Sequence, residues 1–388
     1  MNIIEYARGA FAALSIASLS IVGEAAIGST PANAAEEVDV AIISFSPYSA
    51  WYIVKERGLA KDIDLNIRII EDITAKNAAI ASGNVQCMLN TLDSLVVARA
   101  AGVPLKVVAL PDMSYGLDEM VATPDVQSVS DLPGKTYGAD FAFLNHMWML
   151  LTLKNEGMPY DSVEHRIMLP QESAAAFVSG GIDVDVNYKP FSSQSLTREG
   201  AHVLKSSLTD RTWERGLISD AIACNENWLK EKPEVAKELL RAWFEAVDWW
   251  KQNPDAGNKI VAAGLDWPEE DVRLNQYGAI ILNLEQNLGA FGVEGGNAVC
   301  KALPAGAPLP PAEPSGWGEK LFGGKPDCEN GYLADTWNLF GQVYTEAGVL
   351  EGSIDASAGL DASILEALAA DKVHETYQSN EWIGRVGL

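Results

Sequence analysis

The feature that most constrains this chain is an alternation of short apolar runs with amphipathic segments. It occupies residues 38–110 and returns, with different residues, over 119–187. Val38–Phe45 (VDVAIISF) reads as a buried strand, and Ser46-Pro47-Tyr48 breaks it and opens a helix through Trp51, Val54 and Leu59. Pro47 suits the first helical turn, where its missing N–H goes unneeded. Leu65–Ile70 (LNIRII) alternates as a second strand, and Thr74–Ala81 follows as a short helix. The polar turn Ser82-Gly83-Asn84 leads into the apolar run Val85–Leu89, and the loop Asn90-Thr91-Leu92-Asp93 opens a helix that closes at Gly102. Leu105–Leu110 adds a strand after Val103-Pro104. This order predicts an α/β fold with a parallel sheet under covering helices. Ligands of such sheets sit beyond the C-terminal ends of the strands, so the Asn90–Asp93 loop is the first candidate for ligand contact.

The second set predicts strands at Glu119–Thr123, Thr136–Ala139, His165–Leu169 and Asp183–Asn187, with helices at Asn145–Asn155 and Glu172–Ser179. Two extended segments, Leu117–Thr123 and Leu217–Asn225, set it apart from the first. A unit inserted through two crossings predicts two lobes with a cleft. Beyond Trp228 the pattern turns helical. Glu234–Gln252 places Leu239, Trp243, Val247 and Trp250 on one stripe, which reads as core packing. Ala302–Gly318 is a Pro/Gly-rich loop, and Tyr332–Ala347 and Ala362–Ala370 are closing helices.

With 28 Lys+Arg against 53 Asp+Glu, the formal charge is -25, which disfavours nucleic acid and anionic membranes as partners. Residues 1–34 read as a signal peptide. Arg8 precedes the apolar Gly9–Val22, which is too short to span a bilayer, and Ala32-Asn33-Ala34 supplies a cleavage pattern, so the mature chain is expected to begin near Ala35 in the periplasm. An exported chain permits disulfides. Cys300 and Cys328 flank the Pro/Gly-rich loop and are expected to bridge, whereas Cys87 and Cys224 lie in apolar runs and read as buried thiols.

The loops at the expected cleft carry the candidate ligand-binding residues. These are Ser46, Tyr48 and Trp51 after the first strand, and Asn90, Thr91 and Asp93 after the third. Tyr115 and Asp118 lie at the first crossing, and Asp220 at the second. Asp140, Phe141, Phe143 and Asn145 precede or open a helix, and Asn187 and Tyr188 follow the last strand of the second set. Aromatics and carboxylates dominate, and Lys189 is the one basic residue in these loops. An anion would want a cation or converging N–H donors, which helix N-termini can supply. Carboxylates beside aromatic rings suit a cation or amine instead. Several residues have a structural alternative: Asp93 as a helix cap, Trp51 as packing, Asp118 and Asp220 as hinge hydrogen bonds, His146 as a local helix-start contact. The histidines, His146, His165, His202 and His374, form no H-E-x-x-H, and no G-x-S-x-G or Walker A occurs. No enzyme activity, cofactor or metal is expected.

The order of features resembles the periplasmic substrate-binding proteins of ABC importers of the nitrate/sulfonate/taurine class, with its thiamine-precursor and urea/guanidine-related branches. The resemblance rests on five stretches: residues 82–104 (SG-x-V... A-x-A-x-G-x-P), Leu117–Ala122 (LDEMVA), Asp131–Lys135 (DLPGK), Gly180–Pro190 (GGIDVDVNYKP) and Asn225–Glu234 (NENWLKEKPE). Asp185 departs from it, standing where that class commonly has Ala. The resemblance implies a type II periplasmic binding fold in which 35–121 and 219–388 form one lobe and 122–218 the other. It also implies a monomer that binds a small solute and delivers it to a membrane permease. Asp93 and the scarcity of basic residues favour a nitrogenous cation, an amine or a pyrimidine. A sulfonate, taurine or nitrate binder is the alternative, and an exported enzyme on the same fold a second one.

Overall fold

The computed structural model describes residues 35–385, so the signal-peptide reading and its cleavage point lie outside the described residues. The strands are β1 (Glu36–Ile42), β2 (Ile63–Ile69), β3 (Cys87–Thr91), β4 (Leu105–Ala109), β5 (Asp112–Ser114), β6 (Asp118–Ala122), β7 (Thr136–Ala139), β8 (Glu164–Ile167), β9 (Val184–Tyr188), β10 (His202–Ser206), β11 (Asp220–Asn225) and β12 (Ala279–Ile281). They form two five-stranded sheets, ordered β2-β1-β3-β11-β4 and β10-β6-β9-β7-β8, and a small β12-β5 ribbon.

Both large sheets are mixed: the strands of the first 110 residues, β1 to β4, share one direction as expected, and the reversed strand of their sheet comes from beyond them. β1 runs parallel to β2 and β3, but β11 enters antiparallel between β3 and β4. The second sheet repeats the device. β7 is parallel to β8 and β9, while β6 lies antiparallel between β9 and β10. Each crossing segment thus supplies a reversed strand to the sheet it enters. Strand order is a non-local choice, and no local pattern announced it. Three strands went unread: β5 and β12 have three residues each, too few to show a period, and β10 (HVLKS) is half polar.

The apolar runs of β1, β3 and β11 follow from cover on both faces. Val38, Val40, Ile42, Cys87, Leu89, Ile222 and Cys224 join one core cluster, and Ala41, Met88, Ala221 and Ala223 join the other. The first cluster is closed by the helices Ala50–Glu56 and Pro233–Gln252, where Trp51 and Trp243 meet with ring centroids 4.6 Å apart. The second is closed by C-terminal residues, among them Trp317, Trp337, Phe340 and Tyr344. In the other sheet, Met120, Tyr137, Val184 and Val186 pack on Trp148, Met149 and Leu153 of the helix Leu144–Asn155.

Cys87 and Cys224 are not free thiols but a disulfide across the β3–β11 ladder, where they are register partners. The bridge depends on the unforeseen antiparallel insertion. Cys300 and Cys328 form a second disulfide. Among the described residues, no helix is long and apolar enough to cross a membrane.

Candidate functional site

The insertion geometry builds a site. An antiparallel strand begins at the edge where its parallel neighbours end. Asp220, first in β11, therefore faces Thr91, last in β3, and Asp118, first in β6, faces Tyr188, last in β9. Asp112 and Ser114 come from β5, and Leu144 and Asn145 from the first turn of the helix Leu144–Asn155. Together with Ile43, Phe45, Tyr48, Leu117, Phe143, Ile218 and Ser219 they line a cavity of about 50 Å³, room for a few water-sized groups.

Its walls combine aromatic rings with three buried carboxylates, Asp112, Asp118 and Asp220. Burial pushes all three above the usual carboxylate range. Asp220 rises to about 6, eased back by hydrogen bonds from Tyr48 and Asp112 and by the charge of Lys76. Asp118 rises to about 7, with a Ser114 hydrogen bond working in the opposite direction. Asp112 is pushed well above that range as well, by burial and then by the neighbouring Asp220 charge. Two ammonium groups stand behind the wall. Lys76 is buried, donates to the Leu89 carbonyl at 2.9 Å, and is lowered to about 8 by desolvation. Lys189 lies 3.0 Å from Glu119. Neither lines the cavity, and no Arg does. Among the described residues no acidic, His or Cys grouping has the arrangement of a metal site.

Two helix N-termini reach the cavity, those of Leu92–Ala100 and Leu144–Asn155, and neither carries a side-chain cap at Thr91 or Phe143. In the first of these, Leu92–Ala100, the Leu92 N–H donates to Ser219 O at 3.0 Å.

Of the sequence candidates, Tyr48, Thr91, Asp118, Phe143, Asn145, Tyr188 and Asp220 line the cavity. The others lie elsewhere. Ser46 is tied to Asn275 and Gln276 by hydrogen bonds of 3.4 and 3.1 Å. Trp51 is core, against Trp243. Asn90 is buried within β3, outside the lining. Asp93 is fully buried and accepts the Tyr344 hydroxyl at 2.6 Å. Tyr115 packs against Trp213 and Trp382 and donates to Pro308 O at 2.6 Å. Asp140 accepts the Phe141 N–H at 2.8 Å, and the Phe141 ring is exposed. Asn187 donates to Pro170 O at 2.8 Å and to Asp185, whose carboxylate also takes the Ser173 and Ser195 hydroxyls. Asp185 is thus a buried structural node. His146 accepts the Ala142 N–H at 3.2 Å, a local helix-start contact.

Sequence reasoning missed Ile43, Phe45, Asp112 and Ile218. Phe45 had been read as the end of a strand. Asp112 carried a usable signal: it is a polar residue placed just past the apolar Leu105–Leu110 run, where ligand contacts of such sheets fall.

The strand order and the site at the strand ends define a type II periplasmic binding protein fold. Solved structures share it. The periplasmic aliphatic sulphonate binding protein SsuA from Escherichia coli superposes with a TM-score of 0.60 at 14% identity, covering 84% of this chain and 92% of that one. The periplasmic nitrate-binding protein NrtA from Synechocystis PCC 6803 does so with 0.54 at 14% identity, covering 89% and 92%. A desulfurization enzyme, DSZB, has the fold as well, with a TM-score of 0.50 at 12% identity, covering 87% and 99%. A candidate binding protein of Brucella abortus (strain 2308) is 28% identical over 160 residues, 41% of this chain and 50% of that protein. The chain thus spans about half the length of the curated relatives it matches. The profile of the NMT1/THI5-like family matches residues 47–257, more than half of the 388. The chain belongs to the NMT1/THI5-like family.

Proposed function

We propose that this protein is an extracytoplasmic, non-catalytic solute-binding protein that captures a small nitrogenous cation, an amine or amino-pyrimidine, and delivers it to an ABC transporter permease. One observation carries the choice of guest: Asp112, Asp118 and Asp220 line an aromatic-walled cavity that no Lys or Arg lines. In that setting a cation gains ion pairing and ring-face attraction together. Membership of the NMT1/THI5-like family and the likeness to periplasmic binders support the transport role and a periplasmic location. In this reading 35–121 with 219–388 forms one lobe and 122–218 the other. The protein acts as a monomer, and the crossings at β6 and β11 serve as hinge and wall at once.

Thermal-shift measurements on the purified mature protein test the reading, with amines, guanidines, amino-pyrimidines, sulfonates and nitrate as probes. A tight ligand raises the melting temperature according to RT ln(1+[L]/Kd). Amines or amino-pyrimidines are expected to do so. Stabilisation by sulfonates or nitrate alone refutes the cation reading, and turnover of a stabilising compound refutes the non-catalytic one.

A further inference from the structure

The inner cavity shares two residues, Phe45 and Tyr188, with a larger outer chamber of about 340 Å³. Their rings stand edge to face, with centroids 6.3 Å apart, so this packed pair forms the wall between the two spaces. The outer chamber continues the chemistry of the inner one. Trp267 and Phe191 add aromatic walls, and Glu71 and Asp271 add carboxylates. Its one Lys, Lys189, is committed elsewhere: its ammonium is 3.0 Å from Glu119 and donates to Gly116 O at 2.9 Å. Glu71 is held in place by accepting the Ser44 N–H at 2.9 Å through one carboxylate oxygen.

We propose that the outer chamber is a second cation subsite, and that the guest is a linear diamine. One ammonium sits against Asp112, Asp118 and Asp220, the methylene chain crosses the Phe45–Tyr188 wall as the two rings part, and the second ammonium faces Glu71 and Asp271. Faces of aromatic rings attract both ammonium groups and their flanking methylenes, which a chain with one charged end exploits only once. Tyr188 belongs to both linings, with Asp118 and Asp220 on the inner side and Glu71 on the outer. The two carboxylate sets therefore stand on opposite sides of one aromatic wall, which a short alkyl chain would bridge.

The inference rests on the cation reading above, and the test separates the two. Isothermal titration at pH 8 compares putrescine, cadaverine and hexamethylenediamine with n-butylamine, n-pentylamine and n-hexylamine. At least one diamine is expected to bind roughly tenfold tighter than the monoamine of equal length, the worth of one further cation–aromatic and ion-pair contact. The double variant Glu71→Gln/Asp271→Asn should lose that advantage while its monoamine affinity stays at the wild-type value. Both residues are exposed, so folding is not at stake. Equal binding of diamines and monoamines, or a diamine advantage that survives the double variant, overturns the subsite and leaves the cation reading standing. No binding by any amine overturns both.

Discussion

Asp118 should make the unliganded protein less stable than it could be, in a pH-dependent way that one isosteric substitution removes. Its carboxyl is 4% exposed and ionises at about 7. In an unfolded chain an Asp ionises near 4. The folded state thus binds this proton more tightly than the unfolded state does. Stability is then full below about pH 4 and falls as the pH rises through about 7, where the folded carboxyl must ionise in its buried surroundings. Three pH units of difference correspond to about 4 kcal/mol at pH 8. Asp118→Asn keeps the shape and an acceptor for Ser114 but has no charge to bury. The unliganded variant should therefore match the wild type near pH 4 and exceed it by up to about 4 kcal/mol at pH 8. For a chain of this length that is a rise of roughly 5 °C in melting temperature.

Urea denaturation of both proteins, followed by tryptophan fluorescence at several pH values from 4 to 8, measures the gap directly. The same titrations with a saturating amine should invert the order, because the wild type regains by ion pairing what it loses in desolvation and the variant cannot. A stability difference independent of pH, or a variant less stable than wild type at pH 8 without ligand, would refute the assignment of a raised, ligand-facing carboxyl.

Amine affinity should climb between pH 5 and 8 as Asp220 and Asp118 lose protons at about 6 and about 7, and titrations near pH 6.5 in buffers of different ionisation enthalpy should show protons released on binding. Affinity independent of pH over that range would contradict the wall described above. Tyr344→Phe removes the donor to the buried Asp93 carboxylate and should cost about 1–3 kcal/mol in denaturant melts, with ligand affinity unchanged because neither residue lines the cavity. The pair Cys87→Ala/Cys224→Ala opens a link between residues 137 apart and should cost up to about 5 kcal/mol on loop entropy. Denatured, unreduced protein should show no free thiol at any of the four cysteines in a thiol assay.

The elements legible in the sequence are those whose pattern has a local cause. β1 and β3 read as apolar runs because core lies on both faces, and the stripe Leu239, Trp243, Val247, Trp250 reads as one helical face because it packs as one. The insertion of β11 between β3 and β4 has no local cause. Its partners stand more than 100 residues earlier in the chain, and with it went the Cys87–Cys224 bridge. The C-terminal helices were legible as helices but not as core. Tyr344, 251 residues from Asp93, supplies this buried carboxylate with a hydrogen-bond donor that no local pattern announces.

The same distinction separates the candidate site residues. Asp118 and Asp220 were readable because each opens an extended segment at a crossing, and a ladder then fixes where such a residue must stand: opposite Tyr188 in one sheet and Thr91 in the other. Backbone pairing, rather than side-chain packing, sets their positions. Asp93 is only two residues beyond Thr91, yet the switch from strand to helix turns it away from the cavity and into the core. Asp112 arrives by the opposite route. Its three-residue strand pairs with β12, far along the chain, and also bridges through Met113 to Ser219, which sets its carboxyl beside Asp220. A carboxylate placed by the ladder can be inferred from strand ends. One on a strand too short to show a period, or diverted by a helix, is harder to read from the chain alone. That is why the acidic character of the cavity could be read in advance, but not which carboxylates form it.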